Sequence, residues 1–182
     1  MTTNLSRVDQ VSRPDNSRAV DGQSRLPRLP ADCPFVSIII PCLNEQDLID
    51  RVLQSITNGT YPADRIEFLV ADSGSTDRTH ELALKWAERD PRVRIVATAT
   101  PYIPAKLNAG ISVARGSVIL KVDAHSLYPA NYVEACVAYL IAWGADNVGG
   151  MYKPIARKQG LLARSGRFVG SSLGGELRHA TG

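Results

Sequence analysis

The sequence predicts an α/β fold in which a mostly parallel sheet carries helices on both faces. Short β-branched runs alternate with amphipathic stretches of about 10 to 15 residues, the spacing of strands joined by helical crossovers. The strongest runs, FVSIII and IEFLVAD, are apolar at consecutive rather than alternate positions, as in strands covered on both sides. Pro or Gly punctuates most of the junctions between them.

Residues 1–32 hold five Arg, four Asp and three Pro with no apolar periodicity, and are expected to be a disordered leader outside the fold. Order is expected to begin abruptly at Phe35, where FVSIII forms a first strand stopped by Pro41. In EQDLIDRVLQSIT the positions Leu48, Val52, Leu53 and Ile56 share one helical face, and acids in the first turn suit the helix dipole. IEFLVAD is the second strand, and TDRTHELALKWAERD a helix carrying Leu82 and Trp86 that Pro91 ends. RVRIVAT is a third strand. PAKLNAGISVAR is a shorter helix opening on Pro104 and closed by Gly116, and SVILKVD is a fourth strand. Pro129 opens PANYVEACVAYLIAWG, with Gly144 behind it, and DNVGGMY is expected as a further strand. An α/β domain over 33–150 and a following segment over 151–182 result. There is no internal repeat.

Composition narrows the function. With 182 residues, 44% hydrophobic and 6% aromatic, the chain suits one compact domain and excludes collagen-like, coiled-coil and wholly disordered classes. The longest charge-free apolar stretch, 135–145, is about half of what a bilayer span needs. MTTNLSRVDQ lacks a basic segment followed by an apolar one, so a cytoplasmic location is expected. Cys33, Cys42 and Cys136 form no C-x-x-C pair and read as plain thiols. Residues 33–150 hold ten Lys and Arg against thirteen Asp and Glu, whereas 151–182 hold six against one. With no basic run longer than Arg157-Lys158, no nucleic-acid partner is expected.

In sheets of this type ligands bind beyond the carboxyl ends of the strands, where strand order reverses. The loops there read Pro41-Cys42-Leu43-Asn44-Glu45, Asp72-Ser73-Gly74-Ser75-Thr76-Asp77 and Asp123-Ala124-His125. Neither G-x-G-x-x-G nor G-x-x-x-x-G-K-[ST] is present, which removes the two commonest phosphate-binding turns. Asp72 at a strand end can accept hydrogen bonds from a base or ribose. The plainer alternative is a turn at Gly74 with Ser75 or Thr76 capping the next helix. In an extended segment Asp123 and His125 point to one side and could face one cation, Mg²⁺ by the carboxylate and Mn²⁺ with the imidazole added. Such a cation bridges a diphosphate and neutralises the charge of its departure. The alternative is that His125 only caps the following turn.

VSIIIPCLNE, FLVADSGSTDRT and AKLNAGISVARGSVILKVDAH, in this order and spacing, resemble the donor-binding half of the family 2 glycosyltransferases, which have the GT-A fold. The resemblance covers about residues 35–150. Asp-Ala-His followed by Ser126 and Tyr128-Pro129 is most similar to the branch typified by the succinoglycan-biosynthesis glycosyltransferases. It implies transfer of a sugar from a nucleotide diphosphate-sugar to a glycan or lipid-linked acceptor, inverting and metal-dependent, in exopolysaccharide or cell-surface polysaccharide synthesis. It also implies that Pro41, Asn44 and Glu45 wall the nucleoside, that Asp72, with Ser73 and Gly74 beside it, accepts the imino hydrogen of the base, and that Lys106 and Asn108 lie near sugar or diphosphate. Asp123 and His125 are the implied contacts for Mn²⁺ or Mg²⁺ and the ribose-diphosphate. For Lys106 the plainer alternative is a solvated helix N-terminus.

The chain departs from the family pattern at its end. The later acidic residue that takes the acceptor's proton is not found: after Asp146 the only carboxylate side chain is Glu176, and His179 is a weak substitute. The C-terminal part of the fold is therefore expected to be incomplete, with donor binding and little transfer by these residues alone. A non-catalytic nucleotide-sugar-binding remnant or regulator is the alternative. The basic 151–182 segment suits an anionic lipid-linked acceptor and peripheral contact with the inner membrane surface, or else has nothing to pack on.

Overall fold

The computed structural model describes residues 27–150 and 152–154. Four parallel strands, β1 (Val36–Cys42), β2 (Ile66–Asp72), β3 (Val93–Ala97) and β4 (Val118–Lys121), form a sheet in the order β3-β2-β1-β4. The chain moves outward from β1 through β2 to β3, then crosses back to lay β4 on the other side of β1. Strand order therefore reverses between β1 and β4. A short antiparallel pair, β5 (Ser126–Leu127) with β6 (Lys153–Pro154), lies outside this sheet.

Both central strands are buried at every position, as their unbroken apolar runs require. Successive side chains alternate between two clusters. Val36, Ile38, Ile40, Ile66, Phe68 and Val70 face the larger, and Ile39, Leu69 and Ala71 the smaller. Helix α1 (Ile49–Thr57) buries Ile49, Val52, Leu53 and Ile56 in the larger cluster, about 1.5–3 kcal/mol for each side chain. Helix α2 (Thr79–Arg89) adds Leu82, Ala83 and Trp86, and α4 (Tyr132–Trp143) adds Tyr132, Val133, Cys136 and Val137. The Trp86 indole N–H also donates to Asp50 of α1 at 2.8 Å. Helix α3 (Ile103–Val113), with Leu107 on its inner side, covers the smaller cluster. The sheet has helices on both faces, three on one and one on the other.

Four local expectations are corrected. Pro41 does not stop β1: it pairs in register with Ala71, and Cys42 with Asp72. It is tolerated because β4 pairs only with Val36–Ile39 and the ladder ends with Val122 N–H on the Ile39 carbonyl, so the missing N–H of residue 41 points to a side with no partner strand. Gly116 does not cap α3, which ends at Val113 in an extended Ala114. It lies instead against β1, where a Cβ would be 2.5 Å from the Ser37 nitrogen. DNVGGMY forms no strand over its described residues, and the partner of Ser126–Leu127 is Lys153–Pro154 further on. The fourth strand ends at Lys121 rather than at Asp123. Gly144 does cap α4.

At the amino end of the sheet a buried carboxylate ties elements together. Glu67 Oε1 accepts the Ser37 hydroxyl at 2.7 Å and the Arg115 N–H at 2.8 Å, while Oε2 accepts Arg94 and Arg115 guanidinium hydrogens, each at 2.9 Å. Burial alone would raise the pKa of this group, but the Ser37, Arg115 and Arg94 hydrogen bonds and the Arg115 charge outweigh it and hold the carboxyl below its ordinary value.

Of the leader, residues 1–26 lie outside the described residues, and Leu29 packs against the larger cluster. Cys33, Cys42 and Cys136 are buried free thiols. Among the described residues no helix is long and apolar enough to cross a membrane. Glu176, His179 and most of the basic 151–182 segment lie outside the described residues.

Candidate functional site

The register of β1 with β2 sets Cys42 beside Asp72 at the carboxyl edge. The loops that leave these two positions are stitched together. Asn44 adopts a left-handed backbone, φ 55°, a conformation Asn tolerates better than most residues. Its N–H donates to Ser75 Oγ at 3.0 Å, and its Oδ1 accepts the Thr76 N–H at 2.9 Å. Next along, the Glu45 N–H donates to Thr79 Oγ1 at 2.6 Å and the Gln46 N–H to Asp77 Oδ2 at 3.2 Å. Gly74 turns the second loop at φ 79°, where a side chain would be strained. Neither Ser75 nor Thr76 caps α2. Its N-cap is Arg78, and one residue before it Asp77 accepts the Thr79 N–H at 2.9 Å; the Asp77 carboxyl is held below the usual range because Thr79 and Gln46 hydrogen bonds outweigh the effect of burial.

Asp72 is 4% exposed, and its two oxygens are used differently. Oδ1 accepts the Ser75 N–H at 3.1 Å and the Ser75 hydroxyl at 2.6 Å, whereas Oδ2 faces His80 Nδ1 at 3.0 Å. Ser73 Oγ is buried with no hydrogen-bond partner. Lys106 is buried too, and its ammonium donates to the Cys42 carbonyl at 2.9 Å, so it is not the solvated helix terminus the sequence allowed. The Cys42 thiol is pushed up to about 12, first by burial and then by the charge of Asp72. Asn108, two residues on, is exposed on α3.

The third loop follows β4. Asp123-Ala124-His125 is a turn closed by the Ser126 N–H on the Asp123 carbonyl at 3.2 Å, so the extended geometry assumed for this triplet is replaced by a bend. The Asp123 N–H donates to Tyr128 Oη at 2.8 Å, and burial pushes that phenol up to about 12. The Asp123 carboxylate carries the Lys121 ammonium. His125 Nδ1 stands 3.9 Å from Glu45 Oε1, which bridges the first and third loops. Among the described residues no group of three His, Cys, Asp or Glu side chains is arranged to hold a metal. The donor set still fits a divalent cation that takes most of its ligands from a diphosphate and water, since one carboxylate and one imidazole are on offer and the carboxylate already carries a cationic group.

Residues 37–179 match the family model described as glycosyl transferase family 2. The chain belongs to this family. Among curated relatives, this family 2 chain is 36% identical over 118 residues to the succinoglycan biosynthesis protein ExoA of Rhizobium meliloti (strain 1021), covering 61% of this chain and 34% of the relative. Among solved structures it is similar to the mannosyltransferase PcManGT from Pyrobaculum calidifontis, solved in complex with GDP-Man and Mn²⁺, with TM-score 0.57, 33% identity, and coverage of 63% of this chain and 34% of that one. S. aureus TarS 1-349 in complex with UDP-GlcNAc gives TM-score 0.52 at 23% identity, with 59% and 31% covered. The fold of this family 2 chain is GT-A. It spans about a third of the length of these relatives.

Within the family 2 chain, most of the positions singled out in the sequence lie at one edge of the sheet, with Pro41 near the end of β1 and Asn44 and Glu45 beyond it, Asp72 ending β2 with Ser73 and Gly74 beyond it, and Asp123 and His125 after β4. Three participants were missed. His80 lies eight residues beyond Asp72, Gln46 contacts Asp77 and Arg78 across loops, and Lys121 precedes the triplet. For Lys121 a signal existed, since a strand alternating toward Asp123 puts residue 121 on the same side. For His80 none did, because its approach depends on where α2 begins.

Proposed function

We propose that the carboxyl-edge crevice binds a nucleotide diphosphate-sugar and that the protein transfers its sugar, with inversion, to a glycan or lipid-linked hydroxyl in polysaccharide synthesis. The observation that carries this reading is that a buried carboxylate ending β2, a buried ammonium held by the last carbonyl of β1 and a carboxylate after β4 all lie at the carboxyl edge of a sheet whose strand order reverses between β1 and β4. Asp72 accepts the imino hydrogen of the base, Asn44 and Glu45 with Pro41 and Gly74 wall the nucleoside, and Ser73 Oγ gains the partner it lacks. Lys106 contributes a compact positive charge toward the diphosphate, with Asn108 nearby. Asp123 and His125 hold a divalent cation, Mn²⁺ or Mg²⁺, which when bound supplies charge neutralisation to the departing diphosphate. The succinoglycan relative and the Mn²⁺-bound mannosyltransferase support a donor of this chemical class.

Calorimetry with uridine- and guanosine-diphosphate sugars, with and without Mn²⁺, tests the reading. The wild type is expected to bind one donor class in a metal-dependent manner. Asp123→Ala is expected to lose that metal dependence and at least about tenfold in affinity, the usual cost of removing a charge-assisted contact. Donor binding indifferent to both Mn²⁺ and residue 123 would overturn it.

A further inference from the structure

We infer that His80 determines which nucleobase the crevice accepts, and that this base is of the uracil type, with a single imino donor, rather than guanine. The inference rests on the reading of Asp72 as the base contact. A carboxylate offers about four acceptor positions, two on each oxygen. Both positions of Asp72 Oδ1 are filled by Ser75, through its N–H at 3.1 Å and its hydroxyl at 2.6 Å. Ser75 is itself fixed by the Asn44 N–H at 3.0 Å, so this half of the carboxylate is not released by a side-chain rotation alone. On Oδ2 one position meets His80 Nδ1 at 3.0 Å. A carboxylate oxygen only accepts, which places the hydrogen on Nδ1. One acceptor position remains.

The two bases present different edges to it. Uracil offers one N–H flanked by two carbonyl oxygens, and a single acceptor satisfies it. Guanine offers an imino and an amino hydrogen side by side, a fork that matches a carboxylate only when both oxygens are open. With Oδ1 filled and Oδ2 half filled, guanine leaves a donor unpaired in a buried place, which is the usual origin of strong discrimination. His80 acts as a positioning residue: it occupies Oδ2 and stops the carboxylate from turning. It is half exposed in the first turn of α2 and absent from both hydrophobic clusters, so substituting it leaves the core untouched.

The test compares the affinities of uridine diphosphate and guanosine diphosphate by calorimetry with Mn²⁺ present, for the full chain and three variants. Wild type is expected to favour uridine diphosphate by about tenfold or more. His80→Ala is expected to shrink that ratio by about three- to tenfold, the worth of one hydrogen bond. His80→Asn, whose amide nitrogen replaces Nδ1, is expected to restore the ratio, which a role in folding alone would not require. A wild type that prefers guanosine diphosphate or shows no preference overturns the inference, as does a ratio unchanged in His80→Ala. Asp72→Asn separates the two levels. If it leaves both affinities unchanged, the reading of Asp72 fails and the inference with it. If it weakens binding while His80→Ala leaves the ratio unmoved, the inference alone fails. Absence of binding by the wild type overturns both.

Discussion

Asn44 joins two loops of the site. Its left-handed backbone directs its N–H to Ser75, and its side chain takes the Thr76 N–H, so one residue fixes the loop after β1 against the loop after β2. Alanine at this position keeps the Cβ penalty of the left-handed conformation and loses the acceptor. Asn44→Ala is expected to cost about 1–2 kcal/mol in urea denaturation, and Asn44→Gly less, because glycine adopts that backbone freely. A loss as large in the glycine variant as in the alanine variant would show that the side-chain bond, rather than the backbone, dominates. At this scale the sequence was readable where a residue's place follows from the strand that carries it, as for Asp72 at the end of β2. It was not readable for His80. Eight residues separate it from Asp72, and the contact follows from α2 starting at Thr79 behind Arg78 as its N-cap, a start that composition alone does not locate against the nearby Ser75 and Thr76.

At the scale of elements, β1 and β2 announced themselves because strands buried on both faces have no polar alternation to confuse with a helix. The bend at Asp123–Ser126 and the absence of a strand over the described residues of DNVGGMY were hidden for one reason. Pairing is decided by a partner, and Ser126–Leu127 finds Lys153–Pro154, more than two dozen residues away. Gly116 looked like a helix cap because glycine serves both for a left-handed turn and for close approach. Here the latter decides: its N–H donates to Ser37 Oγ at 2.8 Å, and a Cβ would meet the Ser37 nitrogen at 2.5 Å and the Phe35 carbonyl at 2.7 Å. Gly116→Ala is therefore expected to push β4 away from β1 and cost about 1–3 kcal/mol, measured as a shift in the urea midpoint. A midpoint equal to that of the wild type would contradict the tight approach.

Over the whole molecule, Glu67 is the point where β1, β2, β3 and the α3–β4 connection meet, through Ser37, Arg94 and Arg115. An acid within the apolar run IEFLVAD gave no hint of this, because its partners lie 27 to 48 residues along the chain. Removing it leaves the Ser37 hydroxyl hydrogen and the Arg115 N–H without their acceptor, while the two guanidinium groups are exposed enough to turn to water, and Glu67→Ala is expected to cost about 1–3 kcal/mol. The pH dependence has a definite sign. The folded pKa lies below the ordinary 4.5, so the stabilisation is complete above that value and is lost as pH falls through the lower folded value. Glu67→Gln is expected to flatten the acid limb of the stability curve, and an unchanged limb would show that other carboxylates govern it.

The parting of β1 from β4 has a consequence for how the cleft tolerates change. The next rung of a parallel ladder would need an N–H from residue 41 to the carbonyl of residue 122, and an imide nitrogen has none to give. The ladder thus ends where the Pro41 ring offers no donor for a further rung. A change in the loops beside this gap leaves the missing rung unfilled, since no such change restores a hydrogen to the ring nitrogen.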